Sequence, residues 1–197
     1  MQRRDAIKLI VAVMGSSISP SILRAFDGEA VSEGTSFSEN QRDLVDAMTA
    51  RIIPATDTPG AIEAGVPQFV EEIVTQWYTE AERKIFEQGC IRLENLSSEQ
   101  FLMSFVELSA DQKDKILTQL EFEAGRPNMG GGISLEMNLE EDLSPFFHKL
   151  KELVVVGYYT SEIGATQELR YDPMPMEYKG DIPLTEVGRG SSDNGFF

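Results

Sequence analysis

Cysteine, histidine and tryptophan are each present once in the 197 residues, as Cys90, His148 and Trp77. A lone cysteine excludes an intramolecular disulfide, and one Cys with one His excludes a Cys/His zinc site. Positive charge is also scarce. Seventeen Lys and Arg against 33 Asp and Glu leave a net charge of −16, which repels phosphate backbones and argues against a nucleic-acid partner. Long hydrophobic runs are missing as well: the apolar stretch from Ile7 to Ile18 is broken by Lys8, Gly15 and serines, and falls short of the ~20 residues a spanning helix needs. The sequence has no GxSxG elbow, P-loop or GxGxxG fingerprint, so the common signs of hydrolase, NTPase and dinucleotide chemistry are absent. Alternating β-type runs are nearly absent too.

The residues that could carry chemistry read as structural. Cys90 lies on the apolar stripe of its helix, where an inert thiol is expected. His148 sits between Phe147 and Lys149 on a helix whose inner side is filled by Phe146, Phe147 and Leu150, so it reads as a half-exposed structural histidine. Gly130 to Gly132 lack a following Lys-Ser/Thr pair and read as a loop. Glu140, Glu141 and Asp142 precede a helix and suit its dipole. Asp57, between Thr56 and Thr58, is a carboxylate placed to hold a turn by accepting from backbone N–H groups.

What the chain does have begins at its amino terminus. MQRRDAIKLIVAVMGSSISP joins Arg3 and Arg4 to a short apolar core that runs into Ser, Pro and Gly, the layout of a cleavable export leader. Arg3, Arg4 and Lys8 follow the twin-arginine pattern, with Ala6 in place of its usual Phe. That route exports chains already folded, often with a partner in place. The expected organisation is a leader over 1–30, a helical unit over 31–177 and an extended tail over 178–197.

Helical signals fill the middle. Ser38 and Gln41 form a capping box ahead of Leu44, Val45, Met48 and Ile52, and Pro54 stops that helix. PATDTPGAIEAGVP must turn repeatedly, with Thr58-Pro59-Gly60 as a tight turn. Pro67 opens a second helix carrying Phe69, Val70, Ile73, Val74 and Trp77. Thr79 and Glu82 cap a third, with Ile85, Phe86, Cys90, Ile91 and Leu93 as its buried stripe. Ser97 or Ser98 begins a short helical turn through Phe101, Leu102 and Phe105. Ser109 and Gln112 cap a helix through Ile116, Leu117, Leu120 and Phe122 that ends at Gly125-Arg126-Pro127. A last helix begins at Leu143 and buries Phe146, Phe147, Leu150, Leu153, Val154 and Tyr158. From Tyr171 onward helical periodicity stops, and three prolines favour extended backbone. The fold class is all-α, a compact bundle of about five to seven helices with a long extended tail.

Two blocks, IPATDTPGA over 53–61 and GYYTSE over 157–162, resemble the gluconate 2-dehydrogenase subunit 3 family, and the likeness spans most of the chain. In the tail, Met176 and Asp181 stand where the resemblance leads one to expect Gly and Cys. The resemblance implies a small helical subunit, without catalysis of its own, that binds and stabilises a large FAD-dependent dehydrogenase of the glucose-methanol-choline type acting on sugars or alcohols. The large subunit would hold FAD, and a haem c cytochrome would accept electrons. The small subunit would bind no cofactor and no metal, and would present the leader to the twin-arginine translocase, giving a periplasmic complex that is membrane-associated through its other parts. Asp57, Trp77, Tyr158, Tyr159 and Tyr171 are the candidate interface residues, since amphipathic rings suit partly wet contacts. Two other readings stay open: a free-standing exported sugar hydrolase using paired carboxylates, and a periplasmic helical binding module.

Overall fold

The computed structural model describes residues 36–125, 145–170, 183, 185 and 188–190. Among these are helices α1 (Glu39–Ile52), α2 (Val66–Glu72), α3 (Glu80–Phe101), α4 (Ala110–Ala124) and α5 (Phe146–Thr160), with a π-helical turn, Ile73–Trp77, after α2, a 3-10 turn, Phe105–Glu107, after α3 and a second π-helical turn, Gly164–Glu168, after α5. No strand is found among the described residues, so the all-α expectation holds. The leader and most of the tail lie outside the described residues.

Local chemistry explains the boundaries. Capping boxes open α1 at Ser38/Gln41, α3 at Thr79/Glu82 and α4 at Ser109/Gln112, each satisfying N–H groups that the first turn leaves without helical partners. A fourth, Ser104/Glu107, opens the 3-10 turn. Pro67 stands in the first turn of α2, where its missing N–H costs nothing. Gly125, at φ 72°, ends α4.

Helix α5 is the centre of the bundle and packs on α2, α3 and α4, with a smaller contact to α1. Its Leu150, Leu153 and Val154 are fully buried, with Phe146, Phe147 and Tyr158 nearly so. Close approach is needed on two sides. A Cβ at Gly89 of α3 would stand 1.9 Å from Cγ of Phe146, and one at Gly157 would stand 2.7 Å from the Phe69 ring of α2. The core also holds a charged pair. Lys149 Nζ lies 3.8 Å from Glu82 Oε1 with both side chains wholly buried, and it sits 5.0 Å over the Tyr78 ring, a cation–π arrangement that helps to offset desolvation. Glu82 meanwhile accepts the Thr79 N–H at 2.8 Å to complete its cap.

The structure corrects four expectations. Ile91 and Phe122 are 60% and 86% exposed, because Ile91 lies about 160° around its helix from the buried Leu93, and Phe122 about 160° from the buried Leu120. Ser97 and Ser98 do not start a new turn. Ser97 is buried and donates to the Leu93 carbonyl at 2.9 Å, so α3 continues to Phe101 and ends at Leu102, a non-glycine in the left-handed region at φ 56°. Finally, α5 starts at Phe146, behind Pro145 as its cap.

Candidate functional site

The segment between α1 and α2 folds back on itself because Pro54 ends the helix and the Ala61 N–H reaches the Ile53 carbonyl at 2.9 Å. Residues 56–58 bend, and the hydrogen-bonded turn falls at 61–65 rather than at Thr58-Pro59-Gly60. Gly60 permits this closure. A Cβ there would lie 2.5 Å from Ala55 N and 2.8 Å from Pro54 C. Its own N–H donates to Glu63 Oε2 at 3.0 Å.

The end of α5 meets this loop. The Tyr158 hydroxyl donates to the Pro59 carbonyl at 2.7 Å across 99 residues of sequence, and Thr58 Oγ1 donates to Glu168 Oε2 at 2.6 Å. The two blocks of unusual sequence, 53–61 and 157–162, are therefore one physical junction. Burial pushes the Tyr158 hydroxyl above its ordinary pKa, and the Glu168 carboxylate adds to that; a protonated hydroxyl is the form that donates to Pro59. Past α5, Ser161 Oγ donates to the Tyr158 carbonyl at 2.6 Å and accepts the Gly164 N–H at 3.0 Å. Gly164 admits no side chain here, since a Cβ would stand 2.0 Å from the Tyr158 carbonyl oxygen.

Tail residues 188–190 run beside the junction. Arg170 N–H donates to the Gly190 carbonyl at 2.7 Å, Arg189 donates to the Gln167 carbonyl, and its guanidinium lies 3.8 Å from Asp57 Oδ2. Asp57 thus stands at the loop tip with its side chain 85% exposed. It accepts from the Thr56 hydroxyl at 3.1 Å. The turn is held by Glu63, Thr58–Glu168 and Tyr158–Pro59, contrary to the role expected of the Asp57 carboxylate.

Of the other named residues, Trp77 is core, 9% exposed on the π-turn after α2, and Tyr158 is core at 2%. Their rings are taken up by this chain's own interior, so neither is an exposed anchor. Tyr159 is half-buried and meets Tyr158 edge-to-face at 5.3 Å. The structure brings Asp57, Tyr158 and Tyr159 to one end of the bundle and places Trp77 apart. Arg3, Arg4, Lys8 and Tyr171 lie outside the described residues. Sequence reasoning missed Thr58–Glu168 and Arg189, which no local spacing announces. The glycine in SEIGA was the available signal for Gly164.

Chemistry elsewhere is muted. Burial, with Glu87 and Glu94 nearby, pushes the Cys90 thiol up to about 12, so it stays protonated and poorly nucleophilic at neutral pH. A ring nitrogen of His148, Nε2, lies 3.1 Å from the Gly125 carbonyl and ties the start of α5 to the end of α4. Among the described residues no cluster of three His, Cys, Asp or Glu is arranged to hold a metal, and no helix is long and apolar enough to cross a membrane.

The family model for gluconate 2-dehydrogenase subunit 3 matches residues 39–176. The chain belongs to the gluconate 2-dehydrogenase subunit 3 family. The match opens on the first residue of α1 and takes in all five helices, so it falls within the helical unit expected over 31–177. No curated protein and no solved structure matches the chain.

Proposed function

We propose that this chain is the small, non-catalytic subunit of an exported dehydrogenase complex that oxidises a sugar or alcohol. In this reading it binds and stabilises a large FAD-containing subunit of the glucose-methanol-choline type, and its amino-terminal leader takes both through the twin-arginine translocase to the periplasm. FAD sits in the partner, haem c in an electron-accepting cytochrome, and no cofactor sits in this chain. The observation that carries the reading is family membership across the whole helical unit, in a family named as a dehydrogenase subunit. Arg3, Arg4 and Lys8 ahead of an apolar core support the export role.

Docking would use exposed groups at the junction end, Asp57 and Arg189, with the open part of Tyr159. Rings there contribute apolar area while their polar edges stay wet. Affinity capture of the tagged chain from its native host, with an absorbance spectrum and intact masses of the retained protein, tests the proposal. A large flavin-bearing partner is the expected result. A chain recovered alone and colourless from cells that contain the dehydrogenase would overturn it.

A further inference from the structure

The junction accounts for one end of the molecule and leaves a groove unexplained. Between α1, α3 and the 3-10 turn lies an opening of about 740 Å³, lined by Cys90, Ile91 and Val106 together with Asp43, Glu87, Glu94 and Glu107. No Lys or Arg is among its lining residues. Ile91 and Val106 are 60% and 39% exposed. Exposed apolar side chains among carboxylates of one sign suit a cationic segment that also carries apolar side chains.

The chain supplies such a segment. Residues 1–24 carry Arg3, Arg4, Lys8 and Arg24 against Asp5 alone, with Ile7, Leu9, Ile10, Val11 and Val13 between them. The other 13 Lys and Arg face 32 acidic residues over the rest of the sequence, so this is the cationic stretch of an acidic protein. The path also fits. Ser36 and the Phe37 N–H are tied to Glu71 at 2.6 and 2.9 Å, and the Phe37 ring stacks 6.1 Å from Phe86 of α3. The chain therefore enters at the start of α1, whose Asn40 and Gln41 line the groove. Thirty-five residues of extended backbone reach over about 100 Å, so length does not limit the return.

We propose that this groove holds the chain's own residues 1–24, with their apolar side chains on Ile91 and Val106 and their cations against Asp43, Glu87 and Glu107. The folded subunit then keeps its leader on its own surface until a receptor of higher affinity takes it. Only that consequence rests on the export reading; the intramolecular contact stands or fails independently of any dehydrogenase partner.

The test uses the full chain with the photo-crosslinker p-benzoylphenylalanine in place of Ile91, and separately in place of Val106, followed by irradiation and peptide mapping. Crosslinks within the same chain to residues 1–24 are expected, with none from a control label at the exposed Phe122 of α4. Arg3→Glu with Arg4→Glu should lower the yield by about tenfold, the effect of losing two exposed ion pairs, and adding Glu87→Arg should recover part of it. Crosslinks only to a second copy or to another protein, no crosslink from either position, or a yield indifferent to charge reversal would each overturn the proposal. Both labelled sites are exposed, so misfolding is not the expected failure, and circular dichroism of each variant verifies this.

Discussion

The junction and the groove are opposite kinds of surface made by the same bundle. At the junction, polar groups face inward: Tyr158 donates to Pro59, Thr58 to Glu168, and Gly60 N–H to Glu63, while glycines allow backbone to approach backbone. At the groove, Ile91 and Val106 stay open to water in a lining that also carries carboxylates. The difference separates positions that folding requires from positions left open to a partner. Gly60, Tyr158 and Gly164 are demanded by folding, since each is fixed by a close backbone approach or a buried hydrogen bond. Asp57, Arg189, Ile91 and Glu87 remain exposed, and the contacts proposed above fall to them.

Substitutions in each region should break this contrast if it is wrong. The largest effect is expected at Gly164, where Gly164→Ala forces a Cβ onto the Tyr158 carbonyl and should lower stability by about 3 kcal/mol in urea unfolding. A loss within experimental error would mean that the junction is loose.

Next is Glu71, which fixes the chain's path into α1. The Arg42 guanidinium, then the Ser36 hydroxyl and Phe37 N–H, hold its carboxyl down to about 2 from 4.5. A carboxyl depressed in the folded state adds stability above its unfolded pKa and loses that stability as pH falls through the folded value. Glu71→Gln should therefore destabilise the chain by about 1–2 kcal/mol at pH 7, after allowance for screening at the half-exposed Arg42. The gap to the parent should close between pH 4.5 and about 2. A gap constant over that window would show that the effect is packing and not charge.

The smallest effect belongs to the groove. Ile91→Ser should change stability by less than about 0.5 kcal/mol, as for a surface site, while weakening whatever the groove binds. A loss of 2 kcal/mol would instead make Ile91 part of the core and remove the contrast.

Much of the fold was legible because its signals are local. Ser38/Gln41, Thr79/Glu82 and Ser109/Gln112 each place a side-chain acceptor three residues from the N–H it serves, and Pro54 and Gly125 mark stops by backbone chemistry alone. The misses arose where hydrophobicity was counted without angle, as at Ile91 and Phe122. They also arose where a serine had two local uses: Ser97 bonds back to Leu93 inside a helix although serine caps were working elsewhere. Lys149 lies on the spacing of Phe146 and Leu153, a stripe position that foreshadowed burial, but its partner Glu82 is 67 residues away and no periodicity names it. The site was legible as two sequence blocks and not as one place. Only the fold brings Tyr158 to Pro59, and burial alone takes Trp77 and Tyr158 out of the set of exposed anchors.

The central claim is that this chain takes a separate dehydrogenase out of the cytoplasm. The most direct measurement is dye-linked dehydrogenase activity in periplasmic and cytoplasmic fractions of the native host, comparing the parent with Arg3→Lys plus Arg4→Lys in this chain alone. The account predicts that the substituted leader leaves the activity and the flavoprotein in the cytoplasm together with this subunit. Periplasmic activity at the parental level, with this chain retained inside, would contradict it.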